Sequence, residues 1–151
     1  MKRILAILTM LGALSACQQS ATLFVGTYSD GFYAIDFDLD KGDVVPGEPV
    51  KAPMPNPSFL AIDGNKVYAV SEMPDSTASV WAWQYGGNGF ALLGNQPTGL
   101  PDGGEDPCYV ATDGRLLAVA NYSGGSLAVY KLKEDGSMAP LDSLVFSGTC
   151  F

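Results

Sequence analysis

The stretch Asn56-Pro57-Ser58-Phe59-Leu60-Ala61-Ile62-Asp63-Gly64 returns fifty positions later as Asp106-Pro107-Cys108-Tyr109-Val110-Ala111-Thr112-Asp113-Gly114. In both copies an Asn or Asp before proline opens an apolar run of strand character. An Asp-Gly pair closes the run, a strong short-range signal for a hairpin. A second strand is expected at residues 67–71 or 116–120, then a Gly- or Ser-rich turn and an alternating third strand at 79–84 or 126–131. Ser79-Val80-Trp81-Ala82-Trp83 matches Ser126-Leu127-Ala128-Val129-Tyr130 forty-seven positions on. Gly89 or Gly136 ends the next turn, and a fourth strand falls near 91–95 or 141–146.

An earlier copy precedes these two. Residues 23–42, LFVGTYSDGFYAIDFDLDKG, align without a gap on residues 117–136, LAVANYSGGSLAVYKLKEDG. Leu23, Val25, Tyr28, Ser29, Gly31, Ala34 and Gly42 thereby meet Leu117, Val119, Tyr122, Ser123, Gly125, Ala128 and Gly136. This copy begins at the second strand of its unit, near Thr22, and lacks the innermost strand. A period near 47–50 residues built only from strand-like segments is that of a four-stranded propeller blade. No segment carries a convincing helical period. The expected fold is all-β, a β-propeller of about three four-stranded blades near 22–53, 56–97 and 106–148, within a domain spanning 22–151. Propellers close with four to eight blades. The chain therefore reads as a fragment, a truncated product or the tail of a frameshift. Assembly of several copies into one ring ranks lower, because the absent inner strand would have to come from elsewhere.

The N-terminus reads as a targeting segment. Lys2 and Arg3 precede an apolar run over residues 4–14 that is too short to cross a bilayer. Leu14-Ser15-Ala16-Cys17 resembles a bacterial lipobox, which implies cleavage before Cys17, lipidation of its thiol and a short linker over 17–21. More than one acyl chain gives stable anchoring. The expected location is the cell envelope, facing the periplasm, with the membrane touched only through that lipid. An ordinary signal peptide with an incidental cysteine is the competing reading.

Composition narrows the chemistry. The 151 residues are 47% hydrophobic and 16% charged, with 18 glycines and 10 prolines, which suits short strands and tight turns and not a disordered tail. A formal charge of −8 makes nucleic acid a poor partner. There is no histidine, so the commonest zinc ligand and general base is missing. Cys108 and Cys150 make neither a metal spacing nor a disulfide framework, and Cys108 is expected to be a buried structural thiol. Asp36, Asp38 and Asp40 fail as a calcium loop, because Lys41 and Gly47 stand where glycine and glutamate are required. Gly86-Gly87-Asn88-Gly89 has no helix after it to cradle a phosphate. Trp81 and Trp83 share one strand face and are expected to pack between blades.

The ordered segments also carry a family resemblance. Phe24-Val25-Gly26-Thr27-Tyr28, Asn56-Pro57-Ser58-Phe59-Leu60-Ala61, Tyr68-Ala69-Val70-Ser71-Glu72 and Asp106-Pro107-Cys108-Tyr109-Val110, leading into Val119-Ala120-Asn121-Tyr122-Ser123-Gly124-Gly125-Ser126, resemble the seven-bladed β-propeller lactonases. The resemblance covers residues 22–146. It implies hydrolysis of a sugar-acid lactone, a small-molecule substrate, by water attack on the ring ester without a cofactor or metal. Family members often carry histidine where this chain has Tyr109. Such a reaction needs a base for the water and donors for the oxyanion. The resemblance offers Glu72 as the catalytic carboxylate and Tyr28, Asn121 and Tyr122 as substrate-binding donors. A solvated strand-end charge for Glu72, and blade packing with a turn for the other three, are the structural alternatives. Arg115 sits in a hairpin turn and is discounted as a phosphate ligand. A non-catalytic envelope propeller that binds a ligand or protein partner remains the alternative function.

Overall fold

The computed structural model describes residues 19–45, 47–99 and 104–147. Cys17, Cys150 and the targeting segment lie outside these residues. Among the described residues every regular element is a strand.

The first sheet holds β1 (Ser20–Val25), β2 (Gly31–Asp38), β3 (Asp43–Val44) and β4 (Val50–Pro53). The second holds β5 (Leu60–Asp63), β6 (Lys66–Ser71), β7 (Ser79–Tyr85) and β8 (Phe90–Pro97). The third holds β9 (Pro107–Thr112), β10 (Leu116–Asn121), β11 (Ser126–Leu132) and β12 (Met138–Val145). Sheets two and three are antiparallel meanders in chain order. The first is built differently: β1 pairs only with β2, while β3 and β4 share the far edge of β2. Its four strands thus fill three lateral positions, and the innermost position of that blade holds no described strand.

The fifty-residue repeat survives in register. Leu60 pairs with Ala69 and Val110 with Val119, each fifty positions apart. The ungapped match of residues 23–42 on 117–136 needs correction in its second half. Val25 pairs with Tyr33, whereas Val119 pairs with Ala128. The first connection is one residue shorter, so Ala34 and Gly31 are not the structural counterparts of Ala128 and Gly125. The hairpin turns also sit one residue downstream of the expected Asp-Gly pair. Asp63 faces Lys66, leaving Gly64 and Asn65 as the central residues. The Asp113 N–H bonds the Leu116 carbonyl at 3.3 Å across Gly114 and Arg115. The glycines take the first central position with φ of 59° and 82°, a geometry that a side chain strains.

Two apolar clusters hold the three sheets together. Phe32, Ala52 and Met54 of blade one meet Val67, Ala69 and Trp83 of blade two. Tyr68, Val70, Val80 and Ala82, on the opposite face of blade two, meet Val110, Leu117, Val119, Ala128 and Tyr130 of blade three. Strand alternation puts these two sets on opposite sides of one sheet. Trp81 and Trp83 stack with centroids 6.0 Å apart, on the side toward blade one. The buried tyrosines bridge blades two and three reciprocally: Tyr68 donates to the Gly136 carbonyl at 3.2 Å, and Tyr130 to the Pro97 carbonyl at 2.6 Å. Burial pushes both phenols up. On blade one, the counterparts of Leu117 and Val119 are Leu23 and Val25, which lie on the face turned away from blade two and are exposed.

Candidate functional site

The pre-proline residues that announced the repeat position the site. Asn56 and Asp106 are the two non-glycine residues with positive φ among those described, at 42° and 51°. Asn and Asp tolerate this left-handed region better than other side chains. The bend lets each residue tie two blades. Asn56 N–H bonds the Ser29 carbonyl at 2.7 Å, while its own carbonyl accepts the Glu72 N–H at 3.1 Å. Asp106 N–H bonds the Met73 carbonyl at 2.9 Å, and its carbonyl accepts the Tyr122 N–H at 2.9 Å. Side chains reinforce both: Asn56 Nδ2 donates to the Glu72 carbonyl at 3.4 Å, and Ser123 Oγ donates to Asp106 Oδ2.

Glu72 and Tyr122 are therefore held in the same way at the same blade position, the first residue after the second strand. Tyr28 aligns with Tyr122 in sequence and stands three residues past β1, where the Thr27 N–H bonds the Pro57 carbonyl at 2.8 Å. Gly26 is required beside it, because a Cβ there would sit 2.5 Å from the Pro57 carbonyl oxygen. Three consecutive blades thus present Tyr28, Glu72 and Tyr122 along one rim.

Tyr28 and Glu72 meet: the phenol donates to Glu72 Oε2 at 3.1 Å. That bond to the carboxylate, with its charge, raises the Tyr28 pKa above the ordinary phenol value, while the Ser58 hydroxyl acts in the opposite sense. The Cys108 sulfur also acts on Tyr28. Cys108 is free and exposed, not buried as expected. It is the second residue of β9, an inner strand whose free edge faces the axis around which the sheets fan, and its thiol makes only a long 3.8 Å contact with the Ala120 carbonyl. Beside it, Tyr109 and Phe59 contact each other with ring centroids 4.8 Å apart.

Asn121 stands apart from this group. It is buried at the end of β10, and its Nδ2 donates to the Thr98 carbonyl at 3.1 Å and to Ser126 Oγ at 2.8 Å. Tyr122 is largely exposed to solvent. Arg115 lies in its turn, paired with Asp113 at 3.0 Å. Asp38 is spent on the turn after β2, accepting from the Asp40 and Lys41 N–H groups at 3.0 and 3.1 Å and pairing with Lys41. No group of metal-ligating side chains forms among the described residues. The sequence reading matched Tyr28 to Tyr122 but treated Glu72 separately. The fifty-residue offset already places Glu72 opposite Tyr122, and the same offset pairs Phe59 with Tyr109.

Four-stranded sheets fanned about an axis, with polar side chains gathered on one rim, define a β-propeller. Within that class the chain belongs to the seven-bladed β-propeller lactonase family, whose model matches residues 22–149. It is 32% identical to the 6-phosphogluconolactonase of Bacillus subtilis (strain 168) over 136 residues, 83% of this chain and 37% of that protein. A Bacteroides uniformis structure, assigned provisionally as a 6-phosphogluconolactonase, superposes with a TM-score of 0.77 at 42% identity. That match covers 87% of this chain and 39% of the other. The periplasmic gluconolactonase of Pseudomonas aeruginosa gives a TM-score of 0.71 at 29% identity, over 83% of this chain and 39% of that one. The chain thus spans less than two-fifths of the length of these relatives.

Proposed function

We propose that these three blades form part of a lactonase that opens the ring ester of a sugar-acid lactone, in the manner of a 6-phosphogluconolactonase. The observation that carries this reading is the Tyr28–Glu72 hydrogen bond across a blade boundary in a chain of the lactonase family. Glu72 Oε1, the oxygen not engaged by Tyr28, accepts a proton from water as its oxygen attacks the lactone carbonyl carbon. The phenol of Tyr28 fixes the carboxylate, and Tyr122 supplies a donor toward the developing oxyanion. The ring C–O bond then breaks, and its alkoxide takes the proton held by Glu72, which gives the open hydroxy acid and restores the carboxylate.

Three blades supply one arc of such a rim, and the rate of this chain by itself is expected to equal spontaneous hydrolysis. The test is a chimera in which residues 22–147 replace the corresponding blades of the Bacteroides uniformis relative. Lactone opening by the chimera, reduced roughly 10²–10⁴-fold by Glu72→Gln, supports the assignment. An unchanged rate in the Glu72→Gln chimera overturns it. The lipobox-like Leu14-Ser15-Ala16-Cys17 further supports tethering at the bacterial envelope through acylated Cys17. Cys17→Ser should shift the protein from the membrane to the soluble fraction, and unchanged membrane partition refutes the tether.

A further inference from the structure

We infer that Phe59 and Tyr109 form a stacking wall for the C–H face of a six-membered, polyhydroxylated lactone ring, a subsite that rests on the lactonase reading above. Phe59 immediately precedes β5 and Tyr109 is the third residue of β9, so the two rings stand at equivalent points of adjacent inner strands. Their planes are tilted by 46° with centroids 4.8 Å apart. Both remain open, at 40% and 51% exposure.

The exposure of Phe59 decides what kind of surface this is. Blade three is already packed beside it, yet the ring is still 40% exposed, whereas Val110 on β9, which faces blade two, is 2% exposed. Phe59 therefore stays open with the neighbouring blade already in place. The two part-exposed rings in contact offer a small apolar surface at the inner edges of adjacent blades. The backbone just before Phe59 runs against the Tyr28 segment: the Thr27 N–H bonds the Pro57 carbonyl at 2.8 Å, and Tyr28 holds Glu72. Wall and acid thus occupy one end of the molecule.

A sugar lactone fits this arrangement through its two kinds of surface. Its axial C–H groups make an apolar face that packs on aromatic rings, and its carbonyl and hydroxyl edge seeks donors and acceptors. Binding sites commonly pair an aromatic lining with a few placed polar groups in this way. The wall covers one face of the ring and leaves the opposite face of the lactone carbonyl open to the attacking water.

Saturation-transfer NMR between the purified chain and D-gluconolactam, a hydrolysis-resistant ring analogue, tests the wall. Irradiation of the aromatic protons should transfer saturation to the ring C–H protons. Phe59→Ala and Tyr109→Ala should each weaken binding about fivefold, the scale of one lost aromatic contact, while Tyr109→Phe binds as the parent does. Absence of transfer in the parent chain overturns the inference. So does unchanged binding by Tyr109→Ala whose circular dichroism matches the parent. The chimera separates this failure from that of the lactonase reading. A Tyr109→Ala chimera with kcat and KM both intact removes the wall alone. A parent chimera that opens no lactone, beside a chain that still binds the lactam, removes the catalytic assignment alone.

Discussion

The Tyr28 phenol and the Glu72 carboxylate, 44 residues apart in sequence, meet at 3.1 Å across the boundary between the first two blades. Glu72 stands one residue past the second strand of its blade, and Tyr28 three residues past the corresponding strand of its own. Repetition of one backbone plan therefore creates a contact that neither blade contains alone.

That contact should be visible in the titration of Tyr28. The phenol is raised first by its hydrogen bond to Glu72 and then by the negative charge there. Glu72→Gln removes the charge and should bring Tyr28 back toward the ordinary value of about 10. A phenol raised in the folded state contributes stability below the unfolded pKa and loses it as pH rises through the folded pKa. The parent should therefore lose stability relative to Glu72→Gln only at alkaline pH. A pH titration of Tyr28 ring shifts, together with melts on both sides of pH 10, checks the shift and its sign.

Gly26→Ala should break the same contact from behind. Its Cβ would face the Pro57 carbonyl oxygen at 2.5 Å, and backbone on both sides leaves little freedom to yield. A cost of about 1–3 kcal/mol is expected, the range for overpacking. Tyr28 should titrate closer to a free phenol in the variant. Denaturant unfolding gives the first quantity and the ring shift the second.

Leu117 and Leu23 provide an internal comparison. They hold the same position in different blades, but Leu117 is 0% exposed between blades two and three and Leu23 is 43% exposed. Leu117→Ala should cost about 2–5 kcal/mol. Leu23→Ala should stay within about 0.5 kcal/mol. Paired chemical melts of the two variants measure the difference, and equal costs would show that the blade-one face is covered in solution.

Asp113 should govern the acid limb of stability. It accepts the Leu116 N–H at 2.8 Å and the Arg115 N–H at 2.9 Å, with the Arg115 guanidinium at 3.0 Å, and these bonds draw it down to about 2. A depressed carboxyl contributes stability above the unfolded pKa near 3.9, and loses it as pH falls through the folded value. The advantage of the parent over Asp113→Ala should be constant above about pH 5 and fade between about pH 4 and pH 2. Thermal melts of both proteins across that range test it.

The blade plan was legible because it is written twice at one spacing, in the Asn/Asp-Pro openings and the Gly turns. What escaped the sequence is what a repeat does not carry. The first connection is one residue shorter, which shifts β2 against β11, and single residues such as Ala34 match by chance across that slip. The outer edge of blade one is divided between β3 and β4, a break that alternation alone does not announce. The candidate site was only partly legible in its placement. Tyr28, Glu72 and Tyr122 could be placed, but Asn121 reads as a mouth residue until its amide is seen bonding Thr98 and Ser126. Cys108 reads as buried until its strand is seen to be innermost. Inter-blade geometry decides both, and it lies outside any single segment.

The two apolar clusters share one member sheet. Val67, Ala69 and Trp83 enter one cluster, and Tyr68, Val70, Val80 and Ala82 enter the other, all from β6 and β7. Among the described residues, blade two is thus the surface on which both neighbours pack. In stacked repeats stability is close to a sum of unit and nearest-neighbour terms. Loss of order in β6 or β7 then dissolves both boundaries at once, whereas fraying of β1 or β12 removes one. Hydrogen exchange would rank the strands accordingly, slowest at the centre of blade two. Glu72, one residue beyond β6, is attached to the part of the molecule expected to open last.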